Sequence, residues 1–291
     1  DALPIYDVSP PDKIAIILGG YGMARRGELA RLLVNDLSGT AKDLHLSIRR
    51  SKTRAGIRRV PLWALIPDRH IQTVLAYRAS REEEGSFNGM APLLVDEQGV
   101  PFTESELGDR ISQTMSRAGL DVQSLHPLRH QGASWFPLVW YAAFHQLPSN
   151  TLGFNFAHSL FEKRYLAQFR QLFVSLPHLD DDIHHPWDTN PFHVLSRIMG
   201  HSNPLTSIQR YVHTLSFLEY LLMQREEYIP DSLKNIARTQ AARLLVCSPS
   251  EIARGFKTAT GPGGPHIDKQ IPLLDVLDKL RASVRKRSSN R

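Results

Sequence analysis

Leu44-His45-Leu46-Ser47-Ile48-Arg49-Arg50-Ser51-Lys52-Thr53-Arg54-Ala55-Gly56-Ile57-Arg58-Arg59-Val60-Pro61-Leu62 is the stretch on which the reading of the chain turns. Leu44, Leu46 and Ile48 alternate with polar neighbours, the period of a half-buried strand, and Ile57 to Leu62 is strand-like again. Between them lies a basic turn, Ser51 to Gly56, so the stretch predicts a β-hairpin that carries its charge at the tip.

Outward from the hairpin the pattern is helical. Upstream, Lys13 to Leu37 reads as a helix with Ile17, Leu29, Leu32 and Leu33 at helical spacing, bent at Gly19-Gly20-Tyr21-Gly22 just before Arg25. Downstream, helices are predicted over about 67–84, 103–118 and from Leu128 to His145. Residues 146–190 change character: aromatic residues in a first half that predicts a helix from Leu160 to Phe173, then an acidic, His-rich loop. Helix resumes over 192–228, and Ile236 to Phe256 reads as two short helices parted at Ser248-Pro249. Gly261-Pro262-Gly263-Gly264-Pro265 is a linker, followed by an amphipathic helix carrying Leu273, Val276, Leu277, Leu280 and Val284 and by a basic tail.

With 291 residues, 42% hydrophobic and 22% charged, the chain has the composition of a soluble globular protein and not of a disordered or collagen-like one. Its longest early apolar run, Ile14 to Leu18, is far short of the roughly 20 residues of a membrane span. One cysteine, Cys247, rules out an intramolecular disulfide and fits the reducing cytosol, so a cytoplasmic location is expected. A start at Asp1 suggests a piece trimmed from something longer.

The net charge of +6 is unevenly placed. Residues 49–59 hold Arg49, Arg50, Lys52, Arg54, Arg58 and Arg59 with no acid, and 281–291 hold Arg281, Arg285, Lys286, Arg287 and Arg291, again with none; without these eleven the chain has 24 basic against 29 acidic residues. Two such clusters fit a polyanion, most often nucleic acid. A solvated loop and a solubilising tail read equally well from charge alone.

Five short features carry candidate chemistry. Arg25, in Arg25-Arg26-Gly27-Glu28-Leu29, precedes a helix and can reach a phosphate with its fork, or is a surface arginine. Lys52 sits at the hairpin tip, a mobile ammonium or only a turn lysine. His126 and Arg129, in His126-Pro127-Leu128-Arg129-His130, lie three apart at a helix entrance and can face one site. His201, in Met199-Gly200-His201-Ser202, and Tyr211, in Gln209-Arg210-Tyr211-Val212-His213, each have a bland alternative as packed residues.

In this order and context the six residues resemble the catalytic domain of the tyrosine recombinases, the phage-integrase family, over about residues 12–215. Arg25 and not Arg26 matches, because the family's arginine lies three residues before the glutamate, here Glu28. The resemblance implies a mainly α (α+β) fold with a small antiparallel sheet around the Lys52 hairpin. It implies a site-specific DNA recombinase, the integrase of a mobile element, working through a covalent 3′-phosphotyrosyl intermediate on double-stranded DNA, as a tetramer on paired sites and with no membrane. Tyr211 would be the nucleophile, since a phosphotyrosine stores the bond energy for resealing without ATP; His126 would help remove its proton. Arg25 and Arg129 would hold the two non-bridging phosphate oxygens and His201 would donate a hydrogen bond to the phosphate. Lys52 would protonate the departing 5′ oxygen, and Arg49, Arg50, Arg54, Arg58 and Arg59 would track the DNA. No cofactor and no metal is called for, since arginines supply the positive charge. His178, His184 and His185 share one exposed acidic loop without ligand spacing. A type IB topoisomerase-like or telomere-resolving enzyme shares the same six residues, and a catalytically silent DNA-binding factor is the alternative of a different class.

The chain departs from the family's pattern in three places. Arg129 and His201 lie 72 positions apart where the family needs about two helices, so 146–190 is expected to be an insertion, meeting a neighbouring protomer or DNA, or simply packed. The expected organisation is a catalytic domain over 1–230, a helical extension over 231–260, and linker, helix and tail over 261–291. Residues 238–256 faintly resemble a helix-turn-helix, with Val246 where the turn glycine belongs, and the 273–284 stripe could dock on an adjacent subunit or on its own. The family's N-terminal clamping domain is not in this sequence.

Overall fold

The computed structural model describes residues 8–84, 90–117, 125–145, 154–155, 159–175, 191–212, 214 and 271–272. The chain is mainly helical with a small three-stranded antiparallel sheet, and it divides into two compact units, one of Asp1–Phe136 with Gln168–Val212 and one of Pro137–Ala167 with His213–Arg291. No helix among the described residues is long and apolar enough to cross a membrane.

In the first unit, α1 (Pro10–Gly20) starts at Ser9, whose Oγ accepts from the Asp12 N–H, with prolines in the opening turn where no N–H is needed. Ile14, Ala15 and Leu18 are fully buried. Asp12, also buried, takes the Arg110 fork on both oxygens at 3.0 and 3.1 Å, tying α1 to α5 (Glu104–Arg117). The helix expected to run to Leu37 ends much earlier. Beyond the bend only α2 (Arg26–Leu29) is α-helical, because the backbone that follows bonds to a distant segment: Val34 N–H donates to Ala91 O and Leu93 N–H to Leu32 O. Leu32 and Leu33 kept a helical spacing, but tertiary hydrogen bonds claimed their backbone.

The hairpin is formed as expected. Strand β1 (Leu37–Ser38), which periodicity did not suggest, pairs antiparallel with β2 (His45–Ile48), and β2 with β3 (Arg58–Val60), in the order β1-β2-β3. The register sets Leu46 opposite both Leu37 and Val60, all buried, and sets Arg58 opposite the buried Ile48. Leu62 is not strand. Pro61 cannot donate to the ladder, and α3 (Leu62–Leu65) starts after it, with Trp63 N–H donating to Leu44 O. The long helices predicted downstream are α4 (Asp68–Glu83) and α5, and α6 (His126–His145) begins two residues before the expected Leu128. Helices α8 (Pro191–Met199) and α9 (Pro204–Tyr211) complete the unit.

Part of the expected 146–190 insertion is core. Helix α7 (Lys163–Ser175) contributes Phe169 and Leu172, each 1% exposed, and the Phe169 ring meets Phe136 edge to face at 5.1 Å. An apolar stripe of α7 therefore completes the first unit from Gln168 onward. In the second unit Tyr141, Ala142, Ala143, Leu160 and Tyr165 are buried, and β4 (Phe154–Asn155) pairs parallel with β5 (Ile271–Pro272). The 261–265 linker, the 238–256 pair of helices, the 273–284 helix, the 281–291 tail and the loop of His178, His184 and His185 lie outside the described residues.

Candidate active site

Arg25 caps α2. Its N–H donates to Glu28 Oε2 at 2.8 Å and its Nη1 to Glu28 Oε1 at 2.7 Å, so the three-residue spacing between arginine and glutamate is a closed helix start. The side chain keeps 34% of its surface exposed, with Nη2 3.5 Å from the carbonyl of Gly200. Glu28 is buried and receives more than Arg25: Arg58 grips both its oxygens at 3.0 and 2.9 Å, and Ser51 Oγ lies 3.4 Å from Oε1. Burial alone would raise the Glu28 carboxyl; the hydrogen bonds and charge of Arg58, joined by those of Arg25, outweigh it and bring it down to about 2.

Arg129 approaches from α6. Gly132, one turn further on, admits the close pass of α6 over the end of α1, since a Cβ there would sit 2.0 Å from the Gly20 carbonyl oxygen. Arg129 is 1% exposed and donates from Nη1 to Met23 O and from Nη2 to Met199 O at 2.6 Å, while its Nε is buried without a partner among the described residues. Burial, and then the charges of Arg25 and Arg58, pull its guanidinium downward. Arg25 and Arg58 bind the carboxylate of Glu28, and Arg129 feels its charge without bonding to it, so three guanidiniums face one carboxylate and the cluster carries a surplus of positive charge.

Gly200 ends α8 in the left-handed region, φ 69°, which glycine adopts without strain, and the turn delivers His201. His201 Nε2 lies 3.1 Å from Arg129 Nη2, and its Nδ1 2.9 Å from the Oγ of Ser207, a fully buried residue. A guanidinium only donates, so Nε2 accepts and the proton sits on Nδ1, facing Ser207. Burial, with Arg129, Arg25 and Arg58 adding to it, lowers His201 to about 4, and the ring is neutral at pH 7. Expected as a hydrogen-bond donor to phosphate, His201 here holds Arg129 and has both nitrogens engaged.

Tyr211 closes α9, a helix begun by Asn203, whose side chain accepts from Leu205 N–H, with Pro204 in the first turn. Ser134 Oγ on α6 donates to the Tyr211 carbonyl at 3.0 Å. The half-buried Tyr211 ring has its centroid 5.0 Å from that of His201 and 5.6 Å from that of His126, and Arg129 Cζ stands 5.3 Å from it. His126 is exposed at the start of α6, and partial burial, then Arg129 and Arg25, lower its pKa, leaving it a neutral acceptor at pH 7. His130 was missed in the sequence. Its ring lies against Tyr211 at 4.4 Å, and its place four residues after His126, on the same helix face, was the available signal.

His126, Arg129, His201 and Tyr211 are therefore in contact through Tyr211 and Arg129, and Arg25 acts on the three basic ones through its charge, whereas no hydrogen bond or ion pair among the described residues joins Lys52 to them. It stands exposed in the β2–β3 connection and makes no hydrogen bond or ion pair among the described residues. Of the arginines expected to track DNA, Arg50 and Arg54 are exposed, Arg49 is exposed while paired to Asp36 at 2.6 Å, and Arg59 is exposed beside His45. Arg58 corrects the expectation: its side chain is 6% exposed and faces inward, because it lies two residues from the buried Val60 on one side of the strand. Set against known family models, curated proteins and solved structures, the chain matches none of them.

Proposed function

We propose that the chain is a tyrosine-type site-specific DNA recombinase, cleaving and rejoining double-stranded DNA through a 3′-phosphotyrosyl intermediate. The observation that carries this reading is the positive surplus of three guanidiniums around one carboxylate, set against a phenol ringed by neutral imidazoles. A phosphodiester supplies the missing negative charge, and the charge that builds on its oxygens during attack is what fixed guanidiniums stabilise. Tyr211 Oη attacks phosphorus, its proton passing to His126; the bond to the 5′ oxygen breaks, and that oxygen takes a proton from Lys52. The tautomer of His201 gives it a role in orienting Arg129. The exposed Arg49, Arg50, Arg54 and Arg59 supply backbone contacts beside Lys52.

The test is incubation with nicked suicide DNA, on which the 5′ product diffuses away and the covalent adduct accumulates. Wild type forms the adduct and Tyr211→Phe does not. Tight, salt-dependent binding by wild type without any adduct would instead support a silent DNA-binding factor. Recombinant products from two-site DNA, as against relaxation of supercoils alone, separate a recombinase from a topoisomerase-like enzyme.

A further inference from the structure

Among the described residues Lys52 makes no hydrogen bond or ion pair that holds it, yet general-acid transfer needs the ammonium within hydrogen-bond reach of the leaving oxygen. Its placement must come from the hairpin that carries it, and the side chain that ties this hairpin both to Glu28 and to α8 is Arg58. Arg58 Nη1 donates to the carbonyl of Gly56 at 2.7 Å, within the same connection as Lys52. Arg58 Nε donates to Ile198 O at 2.6 Å, in the last turn of α8 just before His201. The remaining bonds reach both oxygens of Glu28, the carboxylate that fixes Arg25 and lies 3.4 Å from the hydroxyl of Ser51, the residue before Lys52.

Two glycines make the seat a close one. A Cβ on Gly200 would come within 2.9 Å of both Gly56 Cα and Arg58 Nη1, so the hairpin rests directly on the turn that delivers His201. A Cβ on Gly56 would collide with Ser51 Oγ at 1.9 Å, so this glycine leaves Ser51 room to face Glu28. Four hydrogen bonds from a guanidinium with five N–H groups leave Arg58 little to offer a phosphate.

Resting on the recombinase reading, we infer that Arg58 is a positioning residue: it locks the Lys52 hairpin to Glu28 and to the end of α8, and so sets the leaving-group lysine in register with the phosphate-holding Arg25. Lysine cannot replace it, because a point charge cannot reach Ile198, Gly56 and both Glu28 oxygens together.

The experiment compares two suicide DNAs, one with the ordinary 5′-bridging oxygen at the scissile phosphate and one with sulfur there. On either, the Tyr211 Oη–P bond forms and the bond from phosphorus to the bridging atom breaks. An alkoxide needs a proton from Lys52 to leave, whereas a thiolate leaves without one. Lys52→Ala is expected to lose about 10²- to 10⁴-fold in single-turnover rate on the oxygen DNA and to recover on the sulfur DNA. Arg58→Lys is expected to lose at least about tenfold on the oxygen DNA, recover on the sulfur DNA, and add nothing to the loss in a Lys52→Ala background. Its binding should keep the wild-type salt slope. Equal slowing on both DNAs, losses that multiply with Lys52→Ala, failure of sulfur to rescue Lys52→Ala, or a salt slope reduced by about 0.9 overturns the proposal, the last by making Arg58 a DNA contact. Should Arg58→Lys not fold, as judged by thermal unfolding followed by circular dichroism, Arg58→Gln decides in its place, since its amide can still donate to Glu28 but cannot also reach Ile198 and Gly56. The same pattern of loss and rescue is then expected, and equal slowing on both DNAs overturns it. Wild type that attaches to neither DNA overturns the recombinase reading itself, an outcome distinct from all of these.

Discussion

The α6–α8–α9 cluster and the tip of the β2–β3 hairpin use the same residue type in opposite ways. In the cluster, Arg129 is buried and its fork is held by the carbonyls of Met23 and Met199; at the tip, Arg50 and Arg54 are exposed. A buried guanidinium keeps one geometry and meets a charge without rearrangement, whereas an exposed one adds attraction with little orientation. The first arrangement suits stabilisation of a developing charge and the second suits capture of a long polyanion. Arg58 lies in the hairpin by sequence and in the cluster by contact, and it joins the two.

The contrast is tested most severely at Arg129. Arg129→Ala should lower the single-turnover rate of adduct formation by about 10²- to 10³-fold, the scale on which removal of one preorganised charge-stabilising donor is felt. It also leaves the carbonyls of Met23 and Met199 unmatched in the interior, at about 1–3 kcal/mol each, which chemical denaturation would register. A rate no lower than that of Arg50→Ala would erase the distinction between the two regions.

Glu28 gives a pH signature for the cluster. Its carboxyl stands at about 2 in the folded protein against an ordinary 4.5, so its contribution is complete above the unfolded value and is lost as the pH falls from about 4.5 through about 2. The size at neutral pH is about 3 kcal/mol, taking about 1.4 kcal/mol for each pKa unit in a side chain this buried. Urea denaturation across that window should show stability falling in wild type and a flatter profile in Glu28→Gln. Glu28→Gln should also be destabilised at pH 7 by about 3–5 kcal/mol, because Arg58 then keeps a buried charge without its carboxylate.

The hairpin and the long helices were legible because each buries one regular face: Leu46 and Val60 on the sheet, Leu107 and Ile111 on α5. Strand β1 was not, since two residues carry no period, and its neighbours Leu32 and Leu33 have helical spacing in a segment whose backbone bonds to Ala91 and Leu93. The candidate site residues were picked out as an ordered set of residue types, and the fold brings all of them but Lys52 together. Their partners were less so: Glu28 served only to select Arg25, and the pairing that gives it to Arg58, 30 positions away, is tertiary. The inward direction of Arg58 could have been read from strand alternation with Val60, but a run of arginines invites a reading by charge and hides the period. Ser207 carries no signal at all, because its hydroxyl matters only where the turn after α8 places His201.

His126 sets a smaller and sharper test. Partial burial and the charges of Arg129 and Arg25 lower its pKa, so the neutral form that can accept the Tyr211 proton persists to more acid pH than for a free imidazole. The acid limb of single-turnover adduct formation should therefore fall below pH 6.5, the ordinary histidine value, and should vanish in His126→Gln together with about 10²-fold of the rate. A limb at or above 6.5, or one that survives the substitution, would assign the proton to another group.

The smallest effects belong to the hairpin tip, where the number of ions released is the informative quantity. Arg50→Ala and Arg54→Ala remove exposed side chains with no hydrogen bond or ion pair among the described residues, so unfolding free energies should stay within about 0.5 kcal/mol of wild type. If each arginine neutralises one phosphate, each substitution reduces the slope of log binding constant against log salt by about 0.9, and the double variant by about twice that, because exposed contacts act independently. Adduct formation at saturating DNA should hardly change, since neither side chain bonds to the Tyr211 cluster among the described residues. A slope that does not move while the rate falls would put these two arginines with Arg58 and Arg129 as parts of the cluster, and the division between a region that binds and a region that reacts would have to be redrawn along the strand.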